Sequence, residues 1–195
     1  MKKMIATILI IAVLLLAVTL GLNKIAVTNA QEAHLELLRT LLPGSTEFTL
    51  EPYAGEDANI RSVHKSEKGF VIETVTYGYA DDITMFIGVN NDGRVTGLVV
   101  REMHETYGLG AQGLTDVDFL AQFLNGTGDF AVATHGADAF SGATGETTES
   151  SGDATEVDAL TGATVTSKAI VRSINSAIAY VTGADVTSGA TSWGG

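Results

Sequence analysis

The 195 residues contain no cysteine. That removes disulfides, thiolate nucleophiles, Fe–S ligation and the usual structural zinc site together. Any redox chemistry must therefore come from an organic cofactor or a partner. Basic residues are scarce too: 11 Lys and Arg stand against 23 Asp and Glu, a formal net charge of -12. No basic patch is available to track phosphates, so no nucleic-acid partner is expected. The histidines are dispersed and the carboxylates scattered, which assigns no metal site and no ion pathway. The letters G-x-G-x-x-G occur once, at Gly108–Gly113, but with no strand–helix–strand unit around them, so a self-contained nicotinamide-using reductase is disfavoured.

The opening of the chain is charge-poor in a different way. Lys2 and Lys3 precede an uncharged run from Met4 to Leu22. A bilayer core takes about 20 apolar residues as helix, and the run is just long enough. It exceeds the roughly 7–15 residues of a cleavable signal, although "VTNA" at 27–30 passes for a loose cleavage site. Lysines on its N-terminal side place the start in the cytoplasm and everything after residue 23 outside. The expected organisation is a transmembrane anchor at 1–23, a stalk helix at 24–44 and an extracytoplasmic domain at 45–195. Ile25, Ala33, Leu37 and Leu41 fall near one face of the stalk, and Pro43-Gly44 stops it.

Residues 68–105 are rich in β-branched and aromatic types, broken at Tyr77-Gly78-Tyr79 and at Asn90-Asn91-Asp92-Gly93. That pattern predicts antiparallel strands joined by turns. Gly88 and Gly97, inside strand patterns, predict bulges or a close approach to the backbone. "DVDFLAQFLNG" predicts a short helix capped by Asp116, with Phe119, Leu120, Phe123 and Leu124 inward. Residues 126–157 read as a flexible Gly/Thr/Asp-rich loop, and 184–195 as a tail. A last helix is predicted from about Ser167 to Thr182, with Ile170, Ile174, Ile178 and Val181 as its buried stripe. Strands in a row with helices before and after predict an α+β domain on an antiparallel sheet.

One phrase recurs three times in the C-terminal part: Asp, two residues, Ser or Thr, then Gly-Ala-Thr. The copies begin at Asp138, Asp158 and Asp185 and close on Thr144, Thr164 and Thr191. Taken alone, a Gly-Ala-Thr before a helix is more often a plain helix start than a site, and repetition points to compositional bias. The residues after each copy separate the three. After Thr164 come Val165, Thr166 and Ser167 and then the amphipathic helix, with Thr166 or Ser167 the natural cap. Thr164 thus precedes a helix N-terminus, where free N–H groups and the positive dipole end favour a phosphate. Thr144 leads into the acidic "GETTESSGD", and Thr191 has only "SWGG" after it.

"DALTGATVTS" resembles the flavinylation motif of the FMN-binding domain family, which includes the G subunit of the Rnf complex and the C subunit of the sodium-pumping NADH:quinone reductase. Asp158, Thr161, Gly162, Ala163, Thr164, Thr166 and Ser167 match that motif. A second stretch, "HETYGLG", is similar to the "ETPGLG" loop of Rnf G subunits. Glu105, Thr106, Gly108, Leu109 and Gly110 match, and Tyr107 stands where the family has Pro. Two motifs in the family's order, behind a single N-terminal span, make the Rnf protein the nearer resemblance.

The resemblance implies FMN joined by a phosphoester to Thr164, with Thr161, Gly162, Ala163, Thr166, Ser167 and the loop Glu105–Gly110 around it. It implies a separate Mg-dependent flavin transferase that uses FAD and releases AMP. The protein would then carry electrons without catalysing alone, within a membrane complex that oxidises ferredoxin, reduces NAD and moves Na+ or H+. Its partners would be Fe–S membrane subunits and another flavinylated subunit. Two alternatives stand beside this: the C subunit of the sodium-pumping NADH:quinone reductase, and a membrane-anchored non-redox binding module with a Thr/Gly/Ala-rich spacer.

Overall fold

The structure is a computed structural model that describes residue 19 and residues 26–133 and 154–184. The expected anchor at 1–23 falls outside this set, Thr19 apart, as do Thr144, Thr191 and most of the tail. Among the described residues, no helix is long and apolar enough to cross a membrane. The chain divides into two compact units, residues 1–38 and 39–195.

Helix α1, residues 26–41, begins in the first unit and ends just before Pro43 and Gly44, as the stop signal predicts. Ala33, placed on the apolar face by spacing, is exposed. Leu41 and Leu42, at the start of the second unit, are buried.

The second unit is built on a five-stranded antiparallel sheet in sequence order: β1 (Thr49–Glu51), β2 (Ile60–Ser66), β3 (Gly69–Tyr77), β4 (Asp82–Asn90) and β5 (Val95–Met103). Each predicted turn joins neighbouring strands. Asn90 closes the β4–β5 turn through its side chain, which accepts from the N–H groups of Asp92 (3.0 Å) and Arg94 (2.8 Å). The glycine expectation holds at both positions. Gly88 and Gly97 are cross-strand partners beside a register shift. A Cβ on either would run into the Leu41 backbone. Thr96 fixes that approach by donating its hydroxyl to the Leu41 carbonyl at 2.6 Å.

Helix α2 (Val117–Ala121) is capped as predicted, Asp116 accepting from the Phe119 N–H at 2.9 Å. Phe119 and Phe123 are buried, but Leu124 is 43% exposed rather than inward. The helix has ended by then, and the chain turns through Asn125 in the left-handed region, so helical spacing no longer applies. The predicted loop 126–157 is not all loop: its ends form a parallel pair, β6 (Phe130–Val132) and β7 (Thr155–Val157).

Helix α3 (Thr164–Thr182) packs on β3 and β4 and against β6. Ile170, Ile174 and Ile178 are buried as predicted. So are Ser167, Ala169, Ser173, Ser176 and Ala177, because the helix is covered by the sheet on one side and by β6 on another. Small side chains allow that closeness. Thr76 on β3 donates to the Ala169 carbonyl at 3.0 Å and shares a hydrogen bond with the Ser173 hydroxyl at 2.9 Å. Phe119, Phe123 and Phe130 stack edge to face, with centroids 5.4 and 5.2 Å apart, and tie α2 and β6 into the same core.

Candidate functional site

Because β3 ends at Tyr77, β4 starts at Asp82 and β5 ends at Met103, the 77–82 turn and the 104–110 loop lie at one end of the sheet. Helix α3 starts at that same end. The two motifs read from the sequence therefore meet. The Thr166 hydroxyl donates to Glu105 Oε2 at 3.1 Å, across 61 residues of chain. A Cβ on Gly162 would stand 2.9 Å from Leu109 Cδ2.

The helix starts three residues earlier than predicted. Ala163 is the N-cap residue, with φ -134° and ψ 45°, and no side chain caps the helix. Thr166 and Ser167 lie inside the first turn, not ahead of it, and both are buried. Their hydroxyls hold the motif from within. Ser167 Oγ accepts from the Leu160 N–H at 2.9 Å and donates to the Ala163 carbonyl at 3.0 Å. The Ala163 N–H closes the same turn on the Leu160 carbonyl at 3.0 Å. Gly162 takes a φ of 71°, which glycine adopts without strain. Asp158 is fixed through its backbone: its N–H donates to Gln122 Oε1 at 2.7 Å, and its carbonyl accepts from Gln122 Nε2 at 3.4 Å.

This locked turn leaves Thr161, Gly162 and Thr164 exposed while Ala163 is buried. Thr164 is the first residue of α3, so its hydroxyl stands where uncapped first-turn N–H groups and the positive helix end favour an anion. In the facing loop, the N–H groups of Leu109 and Ala111 close on the Thr106 carbonyl at 3.1 and 3.2 Å, and Gly108 takes a positive φ. Tyr107 projects from it, 96% exposed, and Leu109 is also exposed. The Glu105 carboxylate is occupied by the chain's own donors, taking the N–H groups of Tyr79 (2.7 Å) and Ala80 (3.2 Å) on Oε1.

Sequence reasoning passed over Lys168 and Arg172, which stand about one and two turns beyond Thr164 on α3. Both are exposed, and α3 carries no acidic residue. The i, i+4 spacing from Thr164 was the available signal. Arg172 Nη2 donates to the Tyr77 carbonyl at 2.9 Å. Although the residue as a whole is exposed, partial desolvation lowers the pKa of its guanidinium from the usual value.

An α+β domain that presents an exposed threonine as the first residue of a helix behind a locked turn, facing an apolar-tipped loop, has the form of a holder for a phosphate-bearing cofactor. The residues suit FMN: a hydroxyl for the phosphate, an uncapped helix start, and exposed Tyr107 and Leu109 as surface for a flat ring. The family model described as "FMN-binding domain" matches residues 78–179, just over half of the chain, and spans both motifs. The chain belongs to the FMN-binding domain family.

Two relatives sharpen the comparison. The chain is 28% identical over 200 residues to the G subunit of the ion-translocating oxidoreductase complex of Methanosarcina acetivorans, covering 92% of this chain and 96% of that protein. It is 33% identical over 113 residues to the G subunit of the Na(+)-translocating ferredoxin:NAD(+) oxidoreductase complex of Acetobacterium woodii. That match covers 56% of this chain and 47% of the relative. Among solved structures, the C subunit of the Na(+)-translocating NADH-quinone reductase from Parabacteroides distasonis aligns with a TM-score of 0.49 at 19% identity. That alignment covers 70% of this chain and 76% of that one.

Proposed function

We propose that this chain is the electron-transfer G subunit in a membrane ion-translocating ferredoxin:NAD oxidoreductase complex of the Rnf kind, with FMN joined by a phosphoester to Thr164. The names of the two relatives support the assembly, one of them along nearly the full length of both chains. The observation that carries the site is the Thr166–Glu105 hydrogen bond, which brings two distant motifs together beside the exposed Thr164 hydroxyl.

In this reading each part of the site has a task. Thr164 Oγ replaces AMP on the flavin-side phosphorus of FAD, in a reaction run by a separate flavin transferase. The first-turn N–H groups and Lys168 offset the phosphate charge. Tyr107 and Leu109 give the ring an apolar surface. Bound FMN supplies one- and two-electron chemistry, which the chain lacks for want of cysteine. The run at 4–22 serves as the single membrane span, the helix beyond it as a stalk, and the domain works outside the cytoplasm. There it exchanges electrons with an Fe–S membrane protein of the complex and with another flavinylated one.

The test is production of the full chain together with a flavin transferase. Wild type is expected to give a flavin-fluorescent band after denaturing electrophoresis, as are Thr144→Val and Thr191→Val. Thr164→Val is expected to be dark, and a fluorescent Thr164→Val overturns the assignment. Purification with membrane partners and a ferredoxin-linked activity supports the Rnf reading; a quinone-linked activity contradicts it.

A further inference from the structure

Presenting the Thr164 hydroxyl requires a fixed first turn in α3, and no side chain caps that turn. Helix ends without a cap fray, because their first N–H groups lack internal partners. Beyond the Ser167 hydrogen bonds within this turn, a second tie secures it from outside the helix. Glu105 accepts the Tyr79 and Ala80 N–H groups on Oε1 and the Thr166 hydroxyl on Oε2. Three segments therefore meet on one carboxylate: the 77–82 turn, the 104–110 loop and α3. Two glycines make room for it. A Cβ on Gly110 would stand 2.5 Å from Thr166 Oγ1 and 2.9 Å from Glu105 Oε2, and one on Gly78 would overlap Glu105 Oε1. Thr166 is 1% exposed, so its hydroxyl cannot exchange Glu105 for water without opening the turn.

We propose that Glu105 is a positioning residue for flavin attachment, acting through Thr166 to hold the acceptor hydroxyl of Thr164 in its exposed helical frame. This rests on the reading of Thr164 as the flavin site. In the step concerned, a bond forms between Thr164 Oγ and the flavin-side phosphorus of FAD, and the pyrophosphate P–O bond to AMP breaks. AMP leaves, the hydroxyl proton goes to solvent, and nothing is oxidised or reduced. Glu105 touches neither the acceptor nor the phosphorus. Its effect is on the fraction of molecules with the first turn in place.

The experiment uses full-length chain, purified in detergent without flavin, then given FAD, Mg2+ and a flavin transferase. The initial rate of labelling is read by intact mass, and thermal unfolding is recorded for every variant. Glu105→Ala is expected to label roughly tenfold more slowly, the size set by loss of a charge-assisted hydrogen bond. Glu105→Gln keeps an acceptor for Tyr79 and Ala80 and can still pair with Thr166, so it should recover most of that rate. Thr166→Val, which removes a single hydroxyl, should slow labelling by a similar factor. The double variant Glu105→Ala/Thr166→Val should be no slower than the slower single variant, because the two act through one bond.

Labelling of Glu105→Ala at the wild-type rate overturns the inference alone, as do losses that multiply in the double variant. A wild-type chain that takes no label overturns the Thr164 reading and this inference with it. If Glu105→Ala does not fold, the Gln and Thr166→Val variants carry the comparison: equal rates for Thr166→Val and wild type overturn the proposal.

Discussion

Thr164, Thr166 and Ser167 are three hydroxyl residues within four positions, and each faces a different environment. Thr164 is exposed, Thr166 is buried against Glu105, and Ser167 is buried in the first turn of the helix, where its hydroxyl accepts from the Leu160 N–H of the preceding turn. The motif as a phrase is legible from sequence, but this division of labour is not. Spacing alone predicts one or other of the two buried hydroxyls as the helix cap, because Ser and Thr before an apolar stripe usually stand there. A carboxylate 61 residues away and a left-handed Gly162 turn them inward, and local spacing reports neither. The roles separate in stability measurements. Ser167→Ala leaves the Leu160 N–H without its acceptor and is expected to lower unfolding free energy by about 1–3 kcal/mol in a denaturant titration. Thr164→Val, at an exposed position, should stay within roughly 0.5 kcal/mol of wild type while losing the flavin.

At the scale of elements, the strongly periodic parts are readable and the non-local pairings are not. The run of β-branched and aromatic residues over 68–105 and the turn residues within it predict the hairpins. The isoleucine stripe of α3 is also visible, since its spacing follows the helical period. The parallel pair β6–β7 escapes such reading: parallel strands need a long crossover and leave no local turn signature. The pair is tied to the helix by Asn175, whose amide accepts from the Phe130 N–H and donates to the Phe130 carbonyl, both at 2.9 Å. Asn175→Ala is expected to raise amide hydrogen exchange at residues 130–132 well above that of β3 and β4. Ile174→Ala, in the centre of α3, should cost about 2–5 kcal/mol of global stability, read by the same denaturant titration. An unchanged exchange pattern or an undiminished stability contradicts these assignments.

For the whole molecule, the sheet order puts the turn at 77–82, the loop at 104–110 and the start of α3 at one end, and the β4–β5 turn at the other. Composition sets limits on the chemistry: a chain without cysteine carries electrons only on something it binds. Family membership supplies that something as FMN, and the geometry supplies the one described Gly-Ala-Thr with a helix behind it. The most direct measurement is the intact mass of the full chain made with a flavin transferase, followed by peptide mapping. The account predicts the mass of the unmodified chain plus one FMN less one water, with the increment on the peptide spanning 158–168 and lost in Thr164→Val. An unmodified mass, or an increment mapped to Thr144 or Thr191, would contradict it.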